Sequence, residues 1–238
     1  MSLLFCHFAE TLVPVFWRDK LDETFKPKYR RKREVYFALL FEAIQSIRMR
    51  VAKALLIAKK TPLTTLRQTH ARDAKKFKKL LEAGHASVKS FERAHDEHAE
   101  SLKIVRRELR SQGVKFSERN SPPSKPISGV DLVICVGGDG TLLRASHAVR
   151  NSIPVLGVNS APAYSVGFLT CCRAPTFARR LDDLASDRIT PLEIQRLVVR
   201  VGRRRIPEPV LNDVLFCHDN PAVTTRYRIL TPEGDELQ

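Results

Sequence analysis

Gly137-Gly138-Asp139-Gly140-Thr141 sets one carboxylate among three glycines, directly after the apolar run 132–136. A run of that length suits a strand covered on both faces of a parallel sheet and is too short for a helix. The glycines admit close approaches that a Cβ would forbid, and Thr141 is placed to cap a helix carrying Leu142, Leu143, Ala145, Ala148 and Val149. Strand, glycine turn and helix N-terminus together aim backbone N–H groups and a positive dipole end beyond the strand, which suits a phosphate, with Asp139 at the same spot. The competing reading is a tight turn in which Asp139 bonds its own backbone. Six of the ten glycines fall within 129–167, so close-approach positions are concentrated around this turn. Neither G-x-G-x-x-G nor the G-K-[ST] ending of a P-loop is present.

The G-G-D-G-T turn resembles that of the NAD kinases, and also that of the diacylglycerol and sphingosine kinases. Ile153-Pro154-Val155-Leu156-Gly157-Val158-Asn159-Ser160 is similar to the P-V-L-G-V-N segment of NAD kinases. Val166-Gly167-Phe168-Leu169-Thr170 is similar to their G-F-L-T step, and Leu211-Asn212-Asp213 to their N-E/D motif. The P-L-G-T-G-N-D-F segment of the lipid kinases does not occur. The interval between Asn159 and Gly167, and the ending N-D, look more like the mitochondrial and plant NADH-preferring branch than the bacterial type.

The resemblance implies ATP-dependent phosphorylation of the adenosine 2′-hydroxyl of NAD or NADH, with polyphosphate as an alternative donor and Mg²⁺ as the metal. It implies that Asp139 accepts the proton of the attacking hydroxyl, with Mg²⁺ binding as the other assignment for the same group. Gly137, Gly138, Gly140 and Thr141 are then expected on the phosphate side, and Asn212 with Asp213 at the NAD ribose. Asn159 ends a strand facing the same crevice. Phe168 either packs on a ring of the dinucleotide or belongs to the core. Phosphoryl transfer asks for placement and charge neutralisation, which such a set supplies.

The formal charge of +15 favours anionic partners without choosing among nucleotide, nucleic acid and acidic membrane. No apolar run approaches the ~20 residues that span a bilayer. Cys6, Cys135, Cys171, Cys172 and Cys217 show no C-x-x-C spacing, so reduced thiols in an intracellular compartment, cytoplasmic or mitochondrial, are expected. No zinc site is implied; His95 and His98 read as solvated helix histidines.

The expected architecture is an α/β chain in three parts. Residues 1–50 form an N-terminal extension, a targeting or poorly ordered segment, holding the basic run 26–33 and a helix over 35–47. Residues 51–188 form a Rossmann-like open parallel sheet, with strands at 51–58, 114–116 and 155–158 and helices at 90–110 and 176–185. Gly113 ends the first of these helices, whose apolar residues recur at three- and four-residue steps. Residues 189–238 open an antiparallel β domain, with strands at 194–201, 209–216 and 227–230. In NAD kinases this domain is longer, so it is expected to be incomplete here and to be completed by a second copy or a partner chain. A non-catalytic protein that holds a nucleotide, RNA or a partner through 26–33 or 203–205 is the alternative function.

Overall fold

The structure, a computed structural model, describes residues 4–15, 51–68, 75, 78–80, 82–83, 86–150, 152–220, 222–231 and 234–237. Its elements begin with β1 (Leu4–Val15), β2 (Lys53–Ala58), α1 (Pro62–Gln68), α2 (Ala86–Ser111), β3 (Lys115–Arg119), β4 (Leu132–Gly137) and α3 (Asp139–Ser146). There follow β5 (Val155–Asn159), β6 (Cys172–Arg173), a 3₁₀ turn (Ala174–Thr176), α4 (Phe177–Ala185), β7 (Leu192–Val201), β8 (Arg204–Arg205), β9 (Arg228–Thr231) and β10 (Gly234–Leu237).

One sheet runs β3-β2-β4-β5-β1-β7-β8, with β6 beside β5. Strands β3, β2, β4, β5 and β6 are mutually parallel, and the central three, β2, β4 and β5, are the apolar runs expected of strands covered on both faces. Side chains divide the cover by alternation along each strand. Leu56, Ile134, Val136, Leu156 and Val158 pack with Leu102, Val105 and Leu109 of α2 and Phe177, Leu181 and Leu184 of α4. Leu55, Ile57, Val133, Cys135 and Val155 face the other way, onto Leu142 and Ala145 of α3. Gly113 adopts φ 70° and closes α2, and the Val114 N–H returns to the Leu109 carbonyl.

The antiparallel part begins with β7 and continues the same sheet: β7 pairs antiparallel with β1, which meets β5 through the parallel pair Val15 and Val155. Residues 4–15, given no element from the sequence, thus lie inside the sheet. A second sheet holds only β9 and β10. The strand expected over 209–216 does not form. Val210 makes one isolated bridge to Leu197, and the exposed pair Asn212 and Asp213 bond each other where a ladder would need backbone pairing. Thr141 is not a cap either. The helix begins two residues earlier, with Gly138 as N-cap and no side-chain cap bond. The 35–47 helix and the 26–33 run lie outside the described residues. No helix among the described residues is long and apolar enough to cross a membrane.

Candidate active site

Where β4 ends, Gly137 leaves space that Thr141 occupies; a Cβ there would overlap the Thr141 side chain. Asp139 follows as the first residue of α3. Its partners are distant in sequence. Oδ2 accepts the Phe168 N–H at 2.8 Å and Oδ1 accepts the Leu169 N–H at 2.7 Å, so the carboxylate is held by the loop between β5 and β6 and not by its own turn. Each oxygen uses one lone pair in this way and keeps another.

The same loop is fixed from its other side by Asn159, the buried last residue of β5. The Asn159 amide donates to the Ser165 carbonyl at 2.9 Å and accepts the Ala161 N–H at 3.3 Å. Gly167 lies between the two anchors at φ 66°, and a Cβ there would run into the Asn159 amide and come within 2.6 Å of Thr170 Oγ1. Asn159 and Asp139 therefore clamp one loop whose tight passage requires glycine.

Beyond the carboxyl ends of β2 and β4 lies a cleft of about 500 Å³. Gly138, Asp139, Gly140 and Thr141 form one wall; Lys59, Lys60 and Arg144 bring three cations to it. Ligands of open α/β sheets collect at this edge. Partial burial pulls the Lys59 ammonium below its usual range, against an opposing effect of Glu97.

Behind the cleft His98 is buried, its Nδ1 2.8 Å from Ser160 Oγ, and the ring also bonds the Lys59 backbone. Ser101 Oγ donates to the Ser160 carbonyl at 2.9 Å. Burial, then the charge of Lys59, His95 and Arg106, pushes the His98 imidazolium down to about 4. His95 Nδ1 lies 2.7 Å from the hydroxyl of buried Thr61. His98 is therefore a buried bridge between α2 and the end of β5, not a solvated side chain, while His95 is half-buried and bonds Thr61. No group of three or more His, Cys, Asp or Glu side chains among the described residues could hold a metal ion.

The expected site residues are only partly gathered. Gly138, Asp139, Gly140 and Thr141 share the cleft, and Gly137 ends the strand beneath them. Asn159 lines a different pocket. Phe168 is 64% exposed, so the core reading of that ring is set aside, while its N–H serves Asp139. Asn212 and Asp213 line neither pocket; Leu211 just before them packs on the cluster that holds Leu142, with Leu169 alongside. Lys59, Lys60 and Arg144 were not singled out from the sequence, and His98 was read there as solvated. For the lysines a signal existed, since both stand immediately after the apolar run that ends at Ala58.

Residues 30–189 match the sequence model of the ATP-NAD kinase N-terminal domain. The chain belongs to the NAD kinase family. It is similar to a probable NADH kinase of Oryza sativa subsp. japonica, 37% identical over 146 residues, 55% of this chain and 45% of that protein. An NADH kinase of Arabidopsis thaliana is 35% identical over 44% of this chain and 38% of its own length. An NAD kinase of Methanopyrus kandleri is 34% identical over 46% of this chain and 38% of its own. These matches place the chain in the plant NADH-kinase-like branch of the family. The chain spans less than half the length of these relatives. The family match takes in the glycine turn, Asn159 and Phe168, and ends before Asn212 and Asp213.

Proposed function

We propose that this NAD kinase family member transfers the terminal phosphoryl group of ATP to the adenosine 2′-hydroxyl of NAD or NADH, with Asp139 accepting the hydroxyl proton. The observation that carries the reading is the placement of Asp139: its carboxylate is fixed by the Phe168 and Leu169 N–H groups in a cleft whose lining also includes Lys59, Lys60 and Arg144. A positioned base contributes about 10²–10⁴-fold to such a step. The cations serve the other requirement, since charge accumulates on the phosphoryl oxygens as the bond to the leaving group breaks.

Among the described residues Asp139 is the one carboxylate lining this cleft, and its two oxygens accept one backbone N–H each. That donor set fits Mg²⁺ delivered with nucleotide phosphates, because the ion takes one or two carboxylates and fills its shell with phosphate and water. An ion bound there neutralises phosphate oxygens. Asn212 and Asp213 are proposed to reach the dinucleotide ribose, and Phe168, exposed at the edge of the clamped loop, to pack on one of its rings.

The test is formation of NADP or NADPH from ATP with NAD or NADH, on the chain and on Asp139→Asn. The variant is expected to lower kcat by ~10²–10⁴. The amide keeps one acceptor oxygen but turns an NH₂ toward an N–H, so its thermal midpoint is measured alongside. A variant that loses stability yet turns over normally would leave Asp139 only the task of holding the loop.

A further inference from the structure

Cys171 and Cys172 are consecutive, and on a regular strand consecutive side chains point to opposite faces. Here they do not. Strand β6 holds only Cys172 and Arg173, so Cys171 stands just ahead of it, where its N–H donates to the Gly157 carbonyl at 3.0 Å. Cys171 Sγ lies 3.5 Å and Cys172 Sγ 3.8 Å from that same carbonyl oxygen, and both side chains are buried in the cluster that holds Phe177 and Leu181 of α4. Burial does not seal them off, since both line a pocket of about 380 Å³ together with Arg173, Arg179 and Arg180. A hydrogen bond from Cys172 draws the Cys171 thiol below its ordinary value against the effect of burial, and the charge of Arg180 acts in the same direction as the bond. The Cys172 thiol is pushed well above its ordinary value, by the same bond first and then by burial. One sulfur of the pair thus takes thiolate character while the other keeps its proton. Cys135, by contrast, is pushed up to about 12 by burial and lines neither this pocket nor the Asp139 cleft.

We infer that Cys171 and Cys172 form an oxidation site for small peroxides, closing reversibly to a disulfide between the two neighbours. The Cys171 sulfur attacks one peroxide oxygen, the O–O bond breaks, and with hydrogen peroxide a sulfenic acid and one water form. The Cys172 sulfur then displaces the hydroxyl, which leaves with the Cys172 proton as a second water; two electrons pass from the two thiols to the peroxide. A thiol reductant reverses the closure by exchange. Consecutive Cα atoms stand about 3.8 Å apart across a trans peptide, below the ~4.4–6.8 Å of ordinary disulfides, so closure twists the backbone between the two residues. Thr170 comes immediately before them, and its Oγ1 donates to the Gly167 carbonyl at 2.7 Å, while the N–H groups of Phe168 and Leu169 between these two fix Asp139. Oxidation therefore pulls on the loop that holds the proposed base. The thiol chemistry itself needs neither nucleotide nor turnover, and so stands apart from the kinase reading.

The test exposes the unaltered chain to rising hydrogen peroxide, removes the excess with catalase, unfolds the protein and alkylates every remaining thiol with N-ethylmaleimide. Trypsin then releases 151–173, which carries no other cysteine. This peptide is expected to lack both alkyl groups and to be about 2 Da lighter than its free dithiol form, at peroxide levels that leave Cys217 alkylated; dithiothreitol before alkylation restores both groups. In Cys172→Ser the reaction is expected to stop at a Cys171 sulfenic acid that dimedone traps. Two alkyl groups on 151–173 after Cys217 has been oxidised would overturn the inference. So would a sulfinic acid at Cys171 beside an alkylated Cys172, since the two sulfurs would then not meet. Thermal unfolding reads the strain on the loop. A disulfide between neighbours closes almost no loop and gives little of the usual stabilisation, so the midpoint is expected to fall by roughly 2–4 °C on oxidation and to recover with dithiothreitol. A disulfide that leaves the midpoint unchanged would sever the pair from the loop that fixes Asp139.

Discussion

Gly167 is the residue on which the clamped loop turns. Its φ of 66° strains any other side chain, and a Cβ would push on the Asn159 amide. Gly167→Ala is therefore expected to cost on the order of 1–3 kcal/mol and to move the Phe168 and Leu169 N–H groups off Asp139. Denaturant unfolding measures the first effect and turnover the second; a variant of unchanged stability and rate would mean that the loop has another route past Asn159. His98 makes a prediction about pH. Its folded value near 4 lies below the ordinary 6.5, so between those values the unfolded chain takes up a proton that the native chain refuses. Stability from this residue is present above about pH 6.5 and declines as pH falls toward 4, by up to about 3 kcal/mol. The stability difference between pH 7 and pH 4.5 is expected to shrink in His98→Gln, and an equal acid loss in both proteins would acquit the histidine.

Helix α3 carries Asp139 at its first residue, and what holds its other end comes from β7. Arg196 is fully buried and donates through Nη1 to the Ser146 carbonyl at 2.9 Å and the Val149 carbonyl at 2.6 Å. Burial first, then the charge of Arg150, draws its pKa down to about 10. Nε and Nη2 have no partner among the described residues, so the group is tolerated for the carbonyls it covers at the negative end of the helix. Arg196→Leu is expected to lower stability by about 1–3 kcal/mol, since two buried carbonyls lose their donor. Thermal or denaturant unfolding decides it; a neutral or stabilising result would show that the cost of burying the charge outweighs the capping. The same segment brings His147 to the Pro209 carbonyl at 3.2 Å and Ile194 and Leu211 onto the α3 cluster. The antiparallel part of the chain thus supports the helix that begins at the site.

Over the whole molecule a formal charge of +15 surrounds a cleft with three cations of its own. ATP affinity is expected to fall on the order of tenfold between about 0.05 and 0.5 M salt, while adenosine, which carries no phosphate, should respond little. Equal salt responses for the two would remove electrostatics from recognition. Much of this design is legible in the residues. Leu132 to Val136 read as a buried strand because five successive apolar side chains need cover on both faces, and α2 read as a helix because its apolar residues recur at helical steps. The glycine turn with Asp139 at the strand end was likewise local information. What lay beyond local reach were partners far apart in sequence: Phe168 and Leu169 on Asp139, His98 on Ser160, Arg196 on Ser146 and Val149. Solvated helix residues and buried bridges have the same residue types, so the histidines could not be told apart from surface ones without the packing that buries His98. The 209–216 run looked like a strand because strand propensity is local, whereas a strand needs a neighbour with which to exchange hydrogen bonds, and only Val210 has one. Pattern and turn chemistry in the sequence determine the parallel sheet and the place of the proposed base; which side chains hold that base still, and which cations share its cleft, is decided only when the sheet brings its strand ends together.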